Sequence, residues 1–279
     1  MKIYLFLVIM TISISASAMM KSLNTSAAGM EAMQHKLDTI SNNLANINTI
    51  GFKKSRTNIQ DLAYQTLRYA GTGTSTLTEL PTGFQIGTGS KVVGTQRDFR
   101  TGSAIITSNP LDLMIEGNGF FQILRPDGSI GYTRDGSFMR DSSGRIVTAD
   151  GYPLVPEISI PPEAVGVGIG SDGIVSVQVS GQMVTTIIGQ IQITDFVNPG
   201  GLSAVGQNIY VASSAAGNPI TSIPGQNGLG SISQFQLEAA NVNMVTEMVE
   251  MIKVQRGYEL NSKVIQVSDQ MLQTTAGLK

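Results

Sequence analysis

The chain offers little that could do covalent chemistry. His35 is the only histidine in 279 residues, and there is no cysteine. A catalytic triad needs a base in register with a nucleophile and an orienting carboxylate. The neighbours of His35 supply no such set, so it reads as a surface or subunit-contact residue. Without cysteine there are no disulfides, thiolate metal sites or thiol nucleophiles. Gly168-Ile169-Gly170-Ser171-Asp172-Gly173 spells G-x-G-x-x-G. A strand pattern follows it, where dinucleotide binding requires a helix whose N-terminus faces the pyrophosphate. No Gly-Lys dipeptide occurs, which excludes a Walker A loop. Asp127, Asp135, Asp141 and Asp150 sit in turn sequences, where Asp bonds its own backbone. The expectation is a non-enzyme with no catalytic residue, cofactor or metal site.

Composition points the same way. Eighteen basic residues face twenty acidic ones, and charged residues are only 14% of the chain. No strong field draws nucleic acid or an anionic membrane. Neutral amides and hydroxyls are cheaper to bury than charges, so such a surface is suited to packing against copies of itself. The length suffices for one large domain or two smaller ones.

Two heptad stripes bracket the chain. Leu23, Met30, Leu37 and Leu44 recur at sevens, with Ser26, Met33, Ile40 and Ile47 three residues on. That is an a/d seam of about four heptads. Gly51 at C′ and Phe52 packing back on Ile47 predict a Schellman ending, with Lys53 and Lys54 complementing the helix dipole. Toward the other end Leu237, Met244, Met251, Tyr258, Ile265 and Leu272 are also spaced by sevens, and Val245, Val249 and Ile252 widen the stripe. Ser233 with Gln236 offers a capping box, stapled by Ile232 and Leu237, and Asn241 offers a later start. The helix predicted to run to Thr275 is about 50 Å long.

Between the helices the period changes. Pro126-Asp127-Gly128, Asp135-Gly136, Ser143-Gly144 and Asp150-Gly151 separate short apolar runs, the pattern of a meander of tight hairpins. Ile174–Val179 and Ile187–Ile193 extend it. The Gly-, Thr- and Ser-rich stretch from Leu62 to Gly89 reads as a linker or as an extended arm. Leu77, Leu80, Phe84 and Ile86 would anchor such an arm on a neighbour, and a linker has no need of them.

Residues 1–18 resemble a secretory leader: Lys2, an apolar run from Ile3 to Ile12, and Ala16-Ser17-Ala18. The alternative is an upstream extension of a chain starting at Met19 or Met20. Both readings leave 1–18 outside the fold. The expectation is therefore an α+β chain: leader 1–18, N-terminal helix 19–56, arm 57–95, all-β central domain 96–232 and C-terminal helix 233–279. The two heptad helices form a coiled-coil-like terminal domain.

Ser41-Asn42-Asn43-Leu44-Ala45-Asn46-Ile47-Asn48-Thr49-Ile50-Gly51-Phe52-Lys53 resembles the N-terminal signature of bacterial flagellar rod and hook proteins. Asn241 to Val249 and Gln255 to Lys263 resemble the matching C-terminal signature. Leu111 to Phe121 and Tyr132 to Gly136 are similar to the β-domain these proteins share. Leu80 to Gly89 resembles the arm of the distal-rod subunit. The resemblance runs from Met19 to Lys279. It implies a structural subunit that polymerises helically into a hollow rod spanning the periplasm and passes motor torque to the hook. The implied partners are other copies of the chain, proximal-rod and hook subunits, P- and L-ring proteins and the flagellar export machinery. It implies no nucleic acid and no small-molecule substrate. A hook or proximal-rod relative is the alternative within the family. A Sec-secreted β-rich surface binding protein would account for the leader but not for the heptads. Asn42, Asn43, Asn46 and Asn48 lie mostly off the seam. Asn disfavours helix by about 0.6 kcal/mol against Ala, so these amides are expected to bond neighbouring subunits or to line the channel.

Overall fold

The computed structural model describes residues 2–71, 73–75, 78–79, 81–179 and 184–277, with side chains at 20–71, 81–179 and 184–274. The chain divides into two compact units. One comprises Met1–Asn42, Ser55–Gln96 and Val245–Lys279, the other Asn43–Lys54 and Arg97–Met244.

The first unit is helical with a β arm. Helix α1 runs Lys2–Ala45 and helix α2 Met244–Gly277. They lie antiparallel, ascending numbers on one meeting descending numbers on the other. Ser22 Oγ is 3.3 Å from Ser268 Oγ. A Cβ at Gly29 would stand 3.0 Å from the Asn261 amide, and one at Gly257 would stand 3.4 Å from the Met33 sulfur. Lys36 Nζ pairs with Glu250 Oε2 at 3.1 Å. Small residues at the crossing points bring the two backbones close.

The arm is a nested hairpin rather than a linker. Ser55–Asp61 pairs with Ser90–Arg97, Tyr64–Arg68 with Phe84–Gly87, and Gly73–Ser75 with Thr78–Glu79. Its base rests on α1. Thr39 Oγ1 lies 2.8 Å from Thr57 Oγ1, and Lys21 Nζ donates to Gln65 Oε1 at 2.6 Å.

The second unit holds the β-domain. A seven-stranded sheet is ordered Ser203–Gly206, Ile209–Val211, Ile130–Thr133, Phe120–Leu124, Ile193–Asp195, Ile220–Ser222, with Leu154–Val155 also on Phe120–Leu124. An antiparallel meander, Ala164–Ile169, Ile174–Val179 and Thr186–Gln190, forms a second sheet. Successive side chains on a strand point to opposite faces, and neighbouring phenylalanines show it. Phe121 enters a core with Leu113, Ile115, Phe138, Leu154, Val175 and Ile193. Phe120 enters a separate one with Tyr132, Phe196, Leu202 and Tyr210. Three of the four turn aspartates act on backbone, as their sequence context predicts. Asp127, Asp135 and Asp141 accept from the amides of Ser129, Ser137 and Ser143.

Three expectations need correction. The backbone of α1 continues through 2–18, since Lys2–Ala45 contains no proline and a single glycine. At its other end α1 stops at Ala45, and residues 46–51 form turns. Gly51 is left-handed, at φ +69°, yet it is not the C′ residue of the helix. Its amide donates to Glu238 O, and that of Phe52 donates to Thr49 O. Helix α2 starts at Met244, not at Ser233. Ser231–Gln234 and Gln236–Glu238 are strands, paired with Leu113–Glu116 and Ala104–Ile106. Leu237 is therefore a buried strand residue and no part of the C-terminal seam.

Candidate functional site

The segment entering the β-domain from α1 is pinned by residues distant in sequence. Lys53 Nζ bonds Glu238 Oε1 at 2.6 Å and Arg100 O at 2.8 Å. Arg134 Nη1 reaches Glu238 Oε2 at 3.4 Å, and its Nη2 donates to Gly117 O at 2.7 Å. The amide of Gly102 also donates to Glu238 Oε1, at 2.7 Å. The side chains of Lys53, Glu238 and Arg134 are 0%, 1% and 2% exposed. Two cations thus share one carboxylate away from water. Burial pushes the Lys53 ammonium below its ordinary value, repulsion from Arg134 adds to this, and Glu238 opposes both. Burial likewise lowers Arg134, whose guanidinium lies 5.3 Å over the Phe120 ring.

Backbone is held around the same cluster. The Gly51 amide donates to Glu238 O at 2.8 Å. The Lys54 amide donates to Asn241 Oδ1 at 2.8 Å, and Asn241 Nδ2 donates to Asp98 O at 2.7 Å. Asn208 Nδ2 caps Ile50 O at 3.0 Å. A Cβ at Gly51 would stand 2.6 Å from the Asp135 amide nitrogen. The fit therefore requires glycine both for its φ and for close approach.

The expected seam residues are placed unevenly. On α1, Ile40 is buried and Leu23, Met30, Met33, Leu37 and Leu44 are half-buried. Ile47 is also half-buried but lies beyond the helix end. On α2, Met251, Ile265 and Leu272 are half-buried, while Met244 and Tyr258 are exposed. The most buried α2 positions are Glu247, Val254 and Ser268, in the other phase of the same seven-residue spacing. Sequence reasoning followed the large apolar residues and so passed over this phase, in which Glu247 and Ser268 are polar and Val254 is the one apolar member.

Of the four asparagines, Asn43 is buried within its own chain, and Asn46 Oδ1 accepts the Thr49 hydroxyl at 3.2 Å. Asn42 and Asn48 are exposed. Leu77 and Leu80 lie outside the described residues. Phe84 is 56% exposed and Ile86 half-buried, and Tyr64, Leu67 and Tyr69 on the same arm are exposed too. On α2, Val245, Val249, Ile252, Leu260, Val267 and Met271 are exposed. His35 is exposed as well.

Three family profiles match the chain: flagella basal body rod protein over 23–53, flagellar hook protein FlgE/F/G D1 domain over 114–177, and flagellar basal body rod FlgEFG protein C-terminal over 233–278. The flagellar basal-body rod protein FlgG of Buchnera aphidicola subsp. Schizaphis graminum is 49% identical over 260 residues, covering 93% of this chain and 100% of that protein. FlgG of Caulobacter vibrioides is 44% identical over 261 residues, covering 93% and 100%. FlgG of Bacillus subtilis is 40% identical over 266 residues, covering 94% and 100%.

Proposed function

The chain belongs to the flagellar basal-body rod protein family, and from that premise we propose that it is the distal-rod subunit, polymerising helically into a hollow tube. It is a structural component of the basal-body rod, in a family that is structural rather than enzymatic. The observation that carries the helical-polymer reading is the apolar face of α2. Val245, Val249, Ile252, Leu260, Val267 and Met271 stay exposed although α1 already covers the other side of the helix. An apolar stripe left open on a helix with one partner calls for another. Copies of the same chain supply it through a heterologous contact, which propagates instead of closing.

In this reading α1 and α2 pair as a coiled coil in the inner layer, along the seam of Leu23, Met30, Met33, Leu37 and Ile40 with Met251, Ile265 and Leu272. Asn42 and Asn48 face neighbours or the channel. The arm lies between subunits through Phe84 and Ile86, with Tyr64 and Leu67 beside them, and it stiffens the tube. Proximal-rod subunits lie below and hook subunits above. P- and L-ring proteins surround the rod, and the flagellar export machinery delivers the subunit.

Val249→Asp combined with Ile252→Asp tests this reading. Neither side chain is needed for the fold of the β-domain, yet the pair should abolish rod assembly and motility. Normal basal bodies from that variant would refute the proposed interface. Deletion of 62–89 should leave a folded subunit and produce bendable rods in electron micrographs. Rods that stay straight would remove the arm from this role.

A further inference from the structure

The stretch Ile50–Lys54 is seated on the β-domain as a bound peptide is. Its backbone is met at Ile50 O by Asn208, at Gly51 N by Glu238 O, at Lys54 N by Asn241 and at Lys54 O by the Asp98 amide. Its side chains are met as specifically. Gly51 fits because nothing larger would clear the backbone of Arg134 and Asp135. Phe52 is buried. Lys53 ends on a carboxylate and a carbonyl. The groups that make these contacts come from residues 98–100, 134–135, 208 and 238–241. None of these is a sequence neighbour of the stretch, and Glu238 follows Lys53 by 185 positions.

We propose that the β-domain contains a binding site for a Gly-Phe-Lys peptide that turns at its glycine, occupied here by Gly51, Phe52 and Lys53 of its own chain, with Glu238 as the anion that recognises the lysine. Backbone hydrogen bonds provide affinity and the flanking pockets provide selectivity, as in other modes of peptide capture. The charges favour a site that exists without its ligand. Emptied, it retains Arg134 paired with Glu238, one cation to one anion. Filled, it takes in a second cation through a charge-assisted bond. A chain without Glu238 instead leaves two buried cations facing each other, which the interior tolerates poorly. Seating of the N-terminal segment therefore requires the C-terminal strand Gln236–Glu238, so a chain that stops before it cannot hold Lys53. This inference stands apart from the rod reading, since it concerns a contact within one chain.

The test is exchange in trans. In the full-length chain, Gly51→Val with Lys53→Met should expel the resident segment. A fluorescently labelled peptide spanning Asn48–Ser55 should then bind saturably, and at least tenfold more tightly than to the wild-type chain, whose site is filled. A peptide with Lys53→Met, or a receptor also carrying Glu238→Gln, should bind at least tenfold more weakly. A folded double variant that binds the peptide no better than wild type overturns the proposal, and so does binding indifferent to Glu238. If the double variant does not fold, trypsin gives an independent answer in otherwise native chains. Glu238→Gln should raise cleavage after Lys53 at least tenfold relative to cleavage after the exposed Arg256. An unchanged ratio overturns the proposal.

Discussion

The two units are held together by different means. The β-domain has cores of the ordinary kind: Phe121, Ile123, Leu154, Val175, Ile191 and Ile193 have no contact with water. Among the described residues the helical unit has no equivalent. Its buried positions there are Ala32, Ile40 and Val254, together with Ser26, Glu247 and Ser268, while large apolar residues of α2 remain outside. Interiors are stabilised chiefly by apolar area removed from water, and helices draw most of their stability from packing. The β-domain is thus complete as a single molecule. The helices are an unfinished surface, expected to be marginal in a free monomer and to become firm on assembly.

The largest expected effect tests the claim that the β-domain is complete. Glu238→Gln strands two buried cations and should cost on the order of 3–5 kcal/mol in urea unfolding. Lys53→Met keeps the Arg134–Glu238 pair and should cost less. If the order were reversed, Lys53 rather than Glu238 would be the keystone of the cluster. Next comes a matched pair of truncations. Leu154→Ala should cost about 2–5 kcal/mol, whereas Met251→Ala on half-buried α2 should cost well below that range in the monomer. Equal costs would mean that the helical unit has a core of its own, which would break the contrast between the units.

Assembly should reverse that ranking. Met251→Ala is expected to depress rod formation, read as basal bodies per cell, more than Leu154→Ala does at a temperature where both monomers remain folded. The smallest effect is electrostatic. Hydrogen bonds from Lys253 and then Lys36 hold the Glu250 carboxyl below its ordinary value of 4.5. A depressed carboxylate contributes stability that is present above the unfolded value and is lost as pH falls through the folded one. Helical dichroism should therefore decline slightly as pH falls below the ordinary carboxylate value of 4.5, and Glu250→Gln should remove that portion of the decline. The pair is partly exposed, and screening keeps such contributions small.

The two helices and the hairpin-rich middle were legible in the sequence, and their ends were less so. Sevens in Leu23–Leu44 and in Met251–Leu272 do lie on helices. The same arithmetic extended back to Leu237 misled, because that stretch is two short strands, Ser231–Gln234 and Gln236–Glu238, broken at Phe235, whose φ is +61°. Pairing with Leu113–Glu116 and Ala104–Ile106 decides in favour of strand. Turn aspartates and glycines could be read because their effect is local. Gly128, Gly144 and Gly151 are left-handed where the turns were expected. The arm could be read as an arm from its apolar residues but not as a hairpin, since register between Tyr64 and Gly87 cannot be seen in glycine, threonine and serine content. The cluster of Lys53, Arg134 and Glu238 left no local trace at all. Each of the three is an ordinary surface-type residue until the fold brings them together.

One consequence follows from where the rings lie. There is no tryptophan, so the near-ultraviolet spectrum belongs to tyrosine and phenylalanine. Tyr132 and Tyr210 are locked among Phe99, Phe120 and Phe196 at centroid distances of 4.8 to 6.1 Å, whereas Tyr64, Tyr69 and Tyr258 stand in the open. Fixed rings give circular dichroism, and exposed ones are reached by iodide. Burial also raises the pKa of both the Tyr132 and the Tyr210 phenol, so these two lag in an alkaline absorbance titration. The unlabelled protein thus has a built-in optical address: dichroism follows the β-domain, and quenching follows the arm and α2 as neighbours cover them.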